Sequence, residues 1–273
     1  MVQLIGIQPL IDVIALTLQT AFIENEANSA SLLLIAKPET AKTTSIEKFS
    51  GLDFVAYFDE ITAKKLIDEF FPLVKNNQYK FLLVPDLINC IEKQKATREQ
   101  FLALIKSGID DTGVKQISTY HKSLVYQGLA TGIKFGMITA ITTANFKYVK
   151  KEMVNTGLLS RFIPFSYDIP MDKIVKIFAL INGKELTDDL VTFPLINKQR
   201  TTIKADADLL SQLNMLSRNA GIEDEAYGFR TQINLQRLTK ASALIENRNE
   251  VIQADIDKII KLNNWMNLKM NII

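Results

Sequence analysis

Leu32-Leu33-Leu34-Ile35-Ala36-Lys37-Pro38-Glu39-Thr40-Ala41-Lys42-Thr43-Thr44 is an apolar run that breaks into a short loop and then meets Lys-Thr-Thr at a helix start. Four uninterrupted branched residues before a proline read as a strand buried on both faces. The order strand, loop, lysine, hydroxyl, helix N-terminus is the layout of a phosphate-binding loop, in which backbone N–H groups and a helix start face the anion. In that layout Lys42 neutralises phosphate charge and the Thr43 hydroxyl holds Mg²⁺. The usual pattern has glycine at both ends of the loop, whereas this chain has Ala36 and Ala41. Strand-loop-helix turns with Lys-Thr also occur without a ligand, so the rest of the chain must carry the argument.

Downstream, short apolar runs at 54–57, 81–84, 137–142 and 162–167 join 32–35 as strand candidates. Between them lie helical patterns, such as 61–75 with Leu66, Ile67, Phe70, Phe71 and Val74 at helical spacing. Strands alternating with helices predict an α/β fold with a parallel sheet covered on both faces. Past Pro170 helical patterns dominate, at 173–181, 206–219, 230–246 and 253–268. The division expected is therefore an α/β domain over 1–170 and a small all-α domain over 171–273. On the last helix Ile256, Ile259 and Ile260 form one expected buried stripe.

The strand ends carry residue types suited to nucleotide chemistry. Phe81-Leu82-Leu83-Val84-Pro85-Asp86 ends in a carboxylate that could organise Mg²⁺ from a strand beside the loop strand; Asp86 also suits capping of the following helix. The run 136–145 ends in Asn145, which could bond a phosphate or an attacking water, or close a turn. Gly157-Leu158-Leu159-Ser160-Arg161-Phe162 sets Arg161 between a helix end and a strand, where it could reach a neighbouring subunit's site or serve as a surface cation. Arg230 opens a helix in the all-α part and could aim back at the phosphates.

Composition permits this reading and excludes others. The chain has 273 residues, 47% hydrophobic and 23% charged, enough for a sizeable core. A net charge of +2 gives no global drive towards nucleic acid, so any such contact needs a local patch. One cysteine, Cys90, excludes an intramolecular disulfide and reads as a packing residue. Residues 10–18 contain Asp12 and Thr17 and fall short of the roughly 20 residues of a membrane span. No basic run precedes a cleavage-like site, so the expectation is a soluble, cytoplasmic protein.

The ordered set resembles an AAA+ ATPase and is most similar to the motor domains of minichromosome-maintenance (MCM) helicases and their MoxR-like relatives. The MCM loop reads Gly-Asp-Pro-x-x-Ala-Lys-Ser/Thr; here Pro38, Ala41, Lys42 and Thr43 match and Ala36 departs. Leu158-Leu159-Ser160-Arg161-Phe162 resembles the MCM arginine-finger segment, Thr143-Ala144-Asn145 the sensor-1 segment, and Arg230 with Arg237-Leu238 the sensor-2 helix. Ile5-Gly6-Ile7 resembles the segment flanking the adenine. Gln116-Ile117-Ser118-Thr119-Tyr120-His121-Lys122 resembles the start of the pre-sensor-1 hairpin, which makes Lys122 the candidate nucleic acid contact and His121 a hairpin surface residue.

The resemblance implies a P-loop NTPase fold of the AAA+ type, a parallel sheet sandwiched by helices and followed by an all-α lid. It implies ATP and Mg²⁺ as cofactors, bound by Ile5, Gly6, Ala36, Pro38, Glu39, Thr40, Ala41, Lys42, Thr43 and Thr44, with Thr43 and Asp86 on the metal. Asn145, Arg161 and Arg230 would be the catalytic set. It also implies a homo-oligomeric ring such as a hexamer, DNA or protein partners, and no membrane. The N-terminal part of full MCM proteins has no counterpart before residue 36, so assembly and DNA engagement are expected from the motor itself or from partners. One departure bears on turnover: Leu87 follows Asp86 where the family has glutamate, and losing a general base typically costs about 10²–10⁴ in rate. Glu92 is the nearest substitute in sequence. Three functions follow as expectations: a DNA-related motor of helicase or translocase type, a nucleotide-gated assembly module with slow hydrolysis, and a remodeller of protein partners.

Overall fold

Strand β1 (Leu32–Ala36) is buried along its whole length, and its alternate residues enter two different cores. Leu32, Leu34 and Ala36 belong to one core and Leu33 and Ile35 to the other, as the two-residue period of a strand requires. The same split runs through β3 (Phe81–Val84) and β6 (Gly136–Thr142): Phe81, Leu83, Ile138 and Ala140 on one side, Leu82, Val84, Met137 and Ile141 on the other. The computed structural model describes residues 4–118, 123–125, 132–184, 190–223 and 227–266.

With β2 (Val55–Tyr57) and β7 (Ile163–Ser166), these strands form a five-stranded sheet in the order β2-β3-β6-β1-β7. Every pairing in it is parallel. The expected α/β class with a helix-covered parallel sheet is therefore observed. One expectation is corrected. β3 does not lie beside β1; β6 stands between them, in register Ile35 with Ile141 and Leu83 with Ile138. β6 is the longest strand and is buried from Gly136 to Ile141, which suits it to the sheet centre. A separate antiparallel pair, β4 (Gln116–Ser118) and β5 (Ser123–Val125), forms the two sides of the expected hairpin. Lys122 and His121 lie outside the described residues.

Helix α1 (Gln8–Gln19) starts at a proline and is apolar nearly all round, so it is buried on all sides. It sits in the first core with α2 (Lys42–Glu47), through Ile46. On the other face of the sheet lie α3 (63–75), α4 (Ile88–Ile91), α5 (Lys95–Gly108) and α6 (Thr143–Asn155). The middle turn of α3, Leu66–Phe70, is a π-helix, which precedes Pro72 in the next turn.

After β7 come α7 (Met171–Ile181), α8 (Ala207–Ser211), α9 (Asn214–Glu223), α10 (Phe229–Ile245) and α11 (Gln253–Asn263). The all-α character expected beyond Pro170 is present, but these helices have no core of their own. Leu235, Leu238, Ala241 and Leu244 of α10 and Ile256 and Ile259 of α11 join α1 in the first core. Ile260 is corrected: it is exposed, and Leu262 completes the buried stripe instead. The segment 190–204, which carries no helix, straps the helices to α1. Val191 donates to the Leu4 carbonyl (3.1 Å), Gln19 to the Asn197 carbonyl (2.7 Å), and Thr201 to the Phe22 carbonyl (3.0 Å).

Candidate functional site

The loop after β1 is built around the Lys42 ammonium. It donates to the carbonyls of Ala36 (3.0 Å) and Lys37 (2.5 Å) and to Thr40 Oγ1 (3.3 Å). Thr40 Oγ1 in turn donates to the Lys37 carbonyl at 2.8 Å. Burial holds the Lys42 ammonium below the ordinary lysine range, and the nearby Asp86 carboxylate opposes that shift. The loop backbone turns through left-handed conformations at Glu39 and Ala41, both at φ 62°. Ala36 remains an ordinary strand residue paired with Thr142, so its methyl group costs nothing in backbone strain. Ala41 carries the strain instead, where the usual pattern has glycine.

Positive φ at Ala41 leads directly into α2. The N–H groups of Ala41, Lys42, Thr43 and Thr44 donate to no other described residue. Four such amides beside a buried ammonium are donors that an anion could use. Thr43 is exposed on that surface and Thr44 is partly covered. The loop is braced from β7: Tyr167 OH donates to the Thr40 carbonyl at 2.7 Å, and Lys37 pairs with Asp168 at 2.6 Å on the exposed rim. Hence Pro38 and Glu39 are exposed at the tip, while Thr40 and Lys42 are buried beneath it.

Asp86 follows β3 on the same C-terminal rim. Burial raises its carboxyl above the ordinary aspartate range; the Ile88 amide (3.2 Å) and Lys42 pull it down, and Glu92 pushes it up. Asp86 thus accepts from the first amide of α4, as the capping reading expects, and also lies within electrostatic reach of Lys42. The residue after it settles differently. Leu87 is a core residue, 2% exposed, and its N–H donates to the Ala140 carbonyl at 2.8 Å. The position that holds glutamate in the resembling family here points into the second core. Glu92 is exposed and close enough to act on the Asp86 charge.

Asn145 closes no turn; it lies in the first helical turn of α6, where its N–H donates to Thr142 Oγ1 at 3.2 Å. Thr142 is level with Ala36 across β1 and β6, so Asn145 is on the loop's rim. Ile5 and Gly6 precede α1, with Ile5 bridged to Leu190. Gly6 has φ 69°, and a Cβ there would meet Lys173 Cγ at 2.9 Å. Gly6 therefore packs against the start of α7, downstream of the segment that braces the loop, and Ile5 against Leu190.

The arginines lie elsewhere. Arg161 ends a single 3₁₀ turn (Leu159–Arg161) just before β7, whose Ile163 pairs with Leu32 at the start of β1. Its Nε and Nη2 both reach Asp110 Oδ2 at 2.7 Å, and its Nη1 donates to the Gly157 carbonyl. Arg230 Nη2 reaches the same oxygen at 3.3 Å. Asn28, four residues ahead of β1, bonds the Asp110 carbonyl at 3.1 Å. The expectation that Arg230 aims at its own chain's phosphates is corrected. It sits with Arg161 on Asp110 towards the N-terminal end of β1, whereas Lys42 follows the strand's C-terminal end. The reason is packing: α10 buries its apolar face on α1 and carries its N-terminus to the 3₁₀ turn.

Arg161, Arg230 and Arg237 line a pocket of about 240 Å³ with Asp110 and Asp111. Burial and the facing Arg230 lower the Arg161 pKa, against the pull of Asp110. Burial would raise the Asp110 carboxyl, but the Thr112 amide and Arg161 outweigh it and hold it below the ordinary range. Asp110 and the pairing it makes with two arginines were not legible in the sequence, because the three residues are 51 and 69 positions apart along the chain. Among the described residues no group of three His, Cys, Asp or Glu side chains could hold a metal by itself. No helix among them is long and apolar enough to cross a membrane. No family model matches the chain, and no curated protein matches it by sequence.

Proposed function

We propose that the chain is an AAA+-type ATPase that binds Mg·ATP at an interface between copies and works as a DNA-related motor of MCM-like helicase or translocase type. The observation that carries the nucleotide reading is the loop itself: a buried ammonium within electrostatic reach of the Asp86 carboxylate, four amides that donate to no described residue, and an exposed threonine at the helix start. These residues fit Mg·ATP. Lys42 and the amides from Ala41 to Thr44 would hold the phosphates, and Thr43 and Asp86 would hold the metal. Bound Mg²⁺ supplies charge neutralisation for phosphoryl transfer. Asn145 stands on the same rim for an attacking water.

Arg161 and Arg230 are gathered on Asp110 at the end of β1 opposite the Lys42 loop, away from the same chain's phosphates. They suit a second copy's, which is the reading for Arg161 and now for Arg230. Self-association has further support in α7, none of whose residues is buried. Met171, Val175, Phe178 and Ile181 make an exposed apolar stripe there.

A second reading is favoured by Leu87. With a core leucine in place of the glutamate, ATP would set an assembly state while hydrolysis is slow. Calorimetric titration of ATP with Mg²⁺ tests the shared premise. Lys42→Ala should weaken binding by roughly 100-fold, since a charge-assisted contact is worth about 3 kcal/mol; equal affinity in the variant removes both readings. The DNA role turns on Lys122. Lys122→Glu should reduce single-stranded DNA affinity and lessen its salt dependence, whereas unchanged binding moves the proposal to a remodeller of protein partners.

A further inference from the structure

Three cations from three separate segments line a pocket of about 140 Å³ at the N-terminal rim of the sheet: Lys80, Lys134 and Arg200. Their attachment points are held by backbone hydrogen bonds. Lys80 directly precedes β3; its N–H donates to the Phe54 carbonyl (2.8 Å) and its carbonyl accepts from Gly136 (3.0 Å). Lys134 precedes Phe135, whose N–H donates to the Gly108 carbonyl (3.1 Å), and its own ammonium donates to the Ala27 carbonyl (3.0 Å). Arg200 precedes Thr201, which bridges Ile23. The convergence is thus a property of the folded sheet end.

The charge is one-sided. Among the described residues Glu26 is the only carboxylate lining the pocket, and it already accepts from Arg237 Nε (3.1 Å) and Lys240 Nζ (2.5 Å). Neither Lys80 nor Arg200 forms an ion pair with a described residue, and Arg200 is the charged group that acts on Lys80. Burial, and after it Arg200, hold the Lys80 ammonium below the ordinary lysine range. A half-buried cation facing a second cation is costly, and an anion seated between them removes both the repulsion and the unpaired state. Asn77 and Ser29 add neutral polar groups to the wall.

We propose that this pocket is a binding site for a phosphate group, free or as a small phosphomonoester, with Lys80 and Arg200 as its main charge partners and Lys134 as a third. It lies at the end of β1 remote from Lys42 and does not depend on nucleotide binding there. Because the Lys42 loop would also accept phosphate, the test uses the Lys42→Ala protein. Inorganic phosphate titrated into it calorimetrically at low ionic strength should fill one site. Lys80→Met and Arg200→Gln should each weaken that site by about tenfold or more, the loss of one charge-assisted contact. A parallel titration with glycerol phosphate tells the two sources apart: tighter binding than phosphate assigns an ester, equal binding the free anion. Side-chain NMR of Lys80 in the same protein should show its pKa rising as phosphate is added, a readout that needs no variant to fold. Absence of binding in Lys42→Ala, binding that survives the Lys80→Met/Arg200→Gln double substitution, or a Lys80 signal unmoved by phosphate overturns the proposal.

Discussion

At the scale of single residues, Lys42 and Leu87 carry the most chemical consequence, and they stand in opposite relations to their surroundings. Lys42 is a buried cation whose three N–H donors are met by two carbonyls and a hydroxyl of its own loop, so its charge has neutral acceptors but no ion-pair partner among the described residues. Leu87 is buried among Ile91, Phe101 and the other side chains of the second core. A Leu87→Glu substitution intended to restore a catalytic carboxylate would therefore place an unpaired charge in an apolar core. The expected outcome is a loss of about 3 kcal/mol or more in urea unfolding, with no gain in ATP turnover. A variant of unchanged stability that hydrolyses ATP faster would show that this side chain reaches the loop after all. Glu92 is exposed and within electrostatic reach of Asp86.

Elements are tied together at Asp110, in the turn that follows α5. One oxygen of this carboxylate receives Arg161, from the 3₁₀ turn before β7, and Arg230, from the second position of α10. Oδ1 accepts from the Thr112 amide at 3.3 Å and its hydroxyl at 3.1 Å. Arg161 and Asp110 are only 15% and 17% exposed, so solvent screens the pair little. Asp110→Ala leaves two neighbouring guanidinium groups without their anion and should lower stability by about 2–3 kcal/mol in denaturant unfolding. Arg230→Ala should cost far less, because its side chain is half exposed and its bond longer. If both substitutions cost the same, the carboxylate does not organise the cluster.

The whole molecule should respond to acid through groups whose protonation is coupled to folding. Asp255 is held below the ordinary aspartate range; burial opposes this, but Arg248 and then the Ile252 amide and Ser242 outweigh it. Arg248 binds both carboxylate oxygens at 2.7 and 2.8 Å and joins the end of α10 to the start of α11. Asp110 is depressed as well. A carboxyl depressed in the folded state contributes stability that is complete above its unfolded pKa, near ~4, and is lost as pH falls through the folded value. Asp86, raised by burial, acts with the opposite sign: its contribution is greatest below its unfolded pKa and is lost as pH rises. Urea unfolding from neutral pH downward should therefore show a steep loss below about pH 4, and Asp255→Asn should flatten it. A slope unaffected by that substitution would place the acid sensitivity elsewhere.

Local chemistry determined much of this in advance. The apolar runs at 32–35, 81–84 and 137–142 are strands because branched residues on both sides of the chain must be buried on both sides of a sheet. The strand-loop-helix order around Lys42 is likewise written locally, because lysine, threonine and the helix start are neighbours in sequence. What only the tertiary structure decided is every relation between distant segments. Nothing in residues 81–86 says that β6 separates their strand from β1, since sheet order depends on how five strands and the helices between them share two cores. Nothing in residue 87 or 230 says which way its side chain faces. Leu87 points inward because its N–H is pinned to Ala140, and Arg230 turns to Asp110 because α10 is buried against α1. Residue types and short spacings are written in the chain; the side chains each one meets are set by packing.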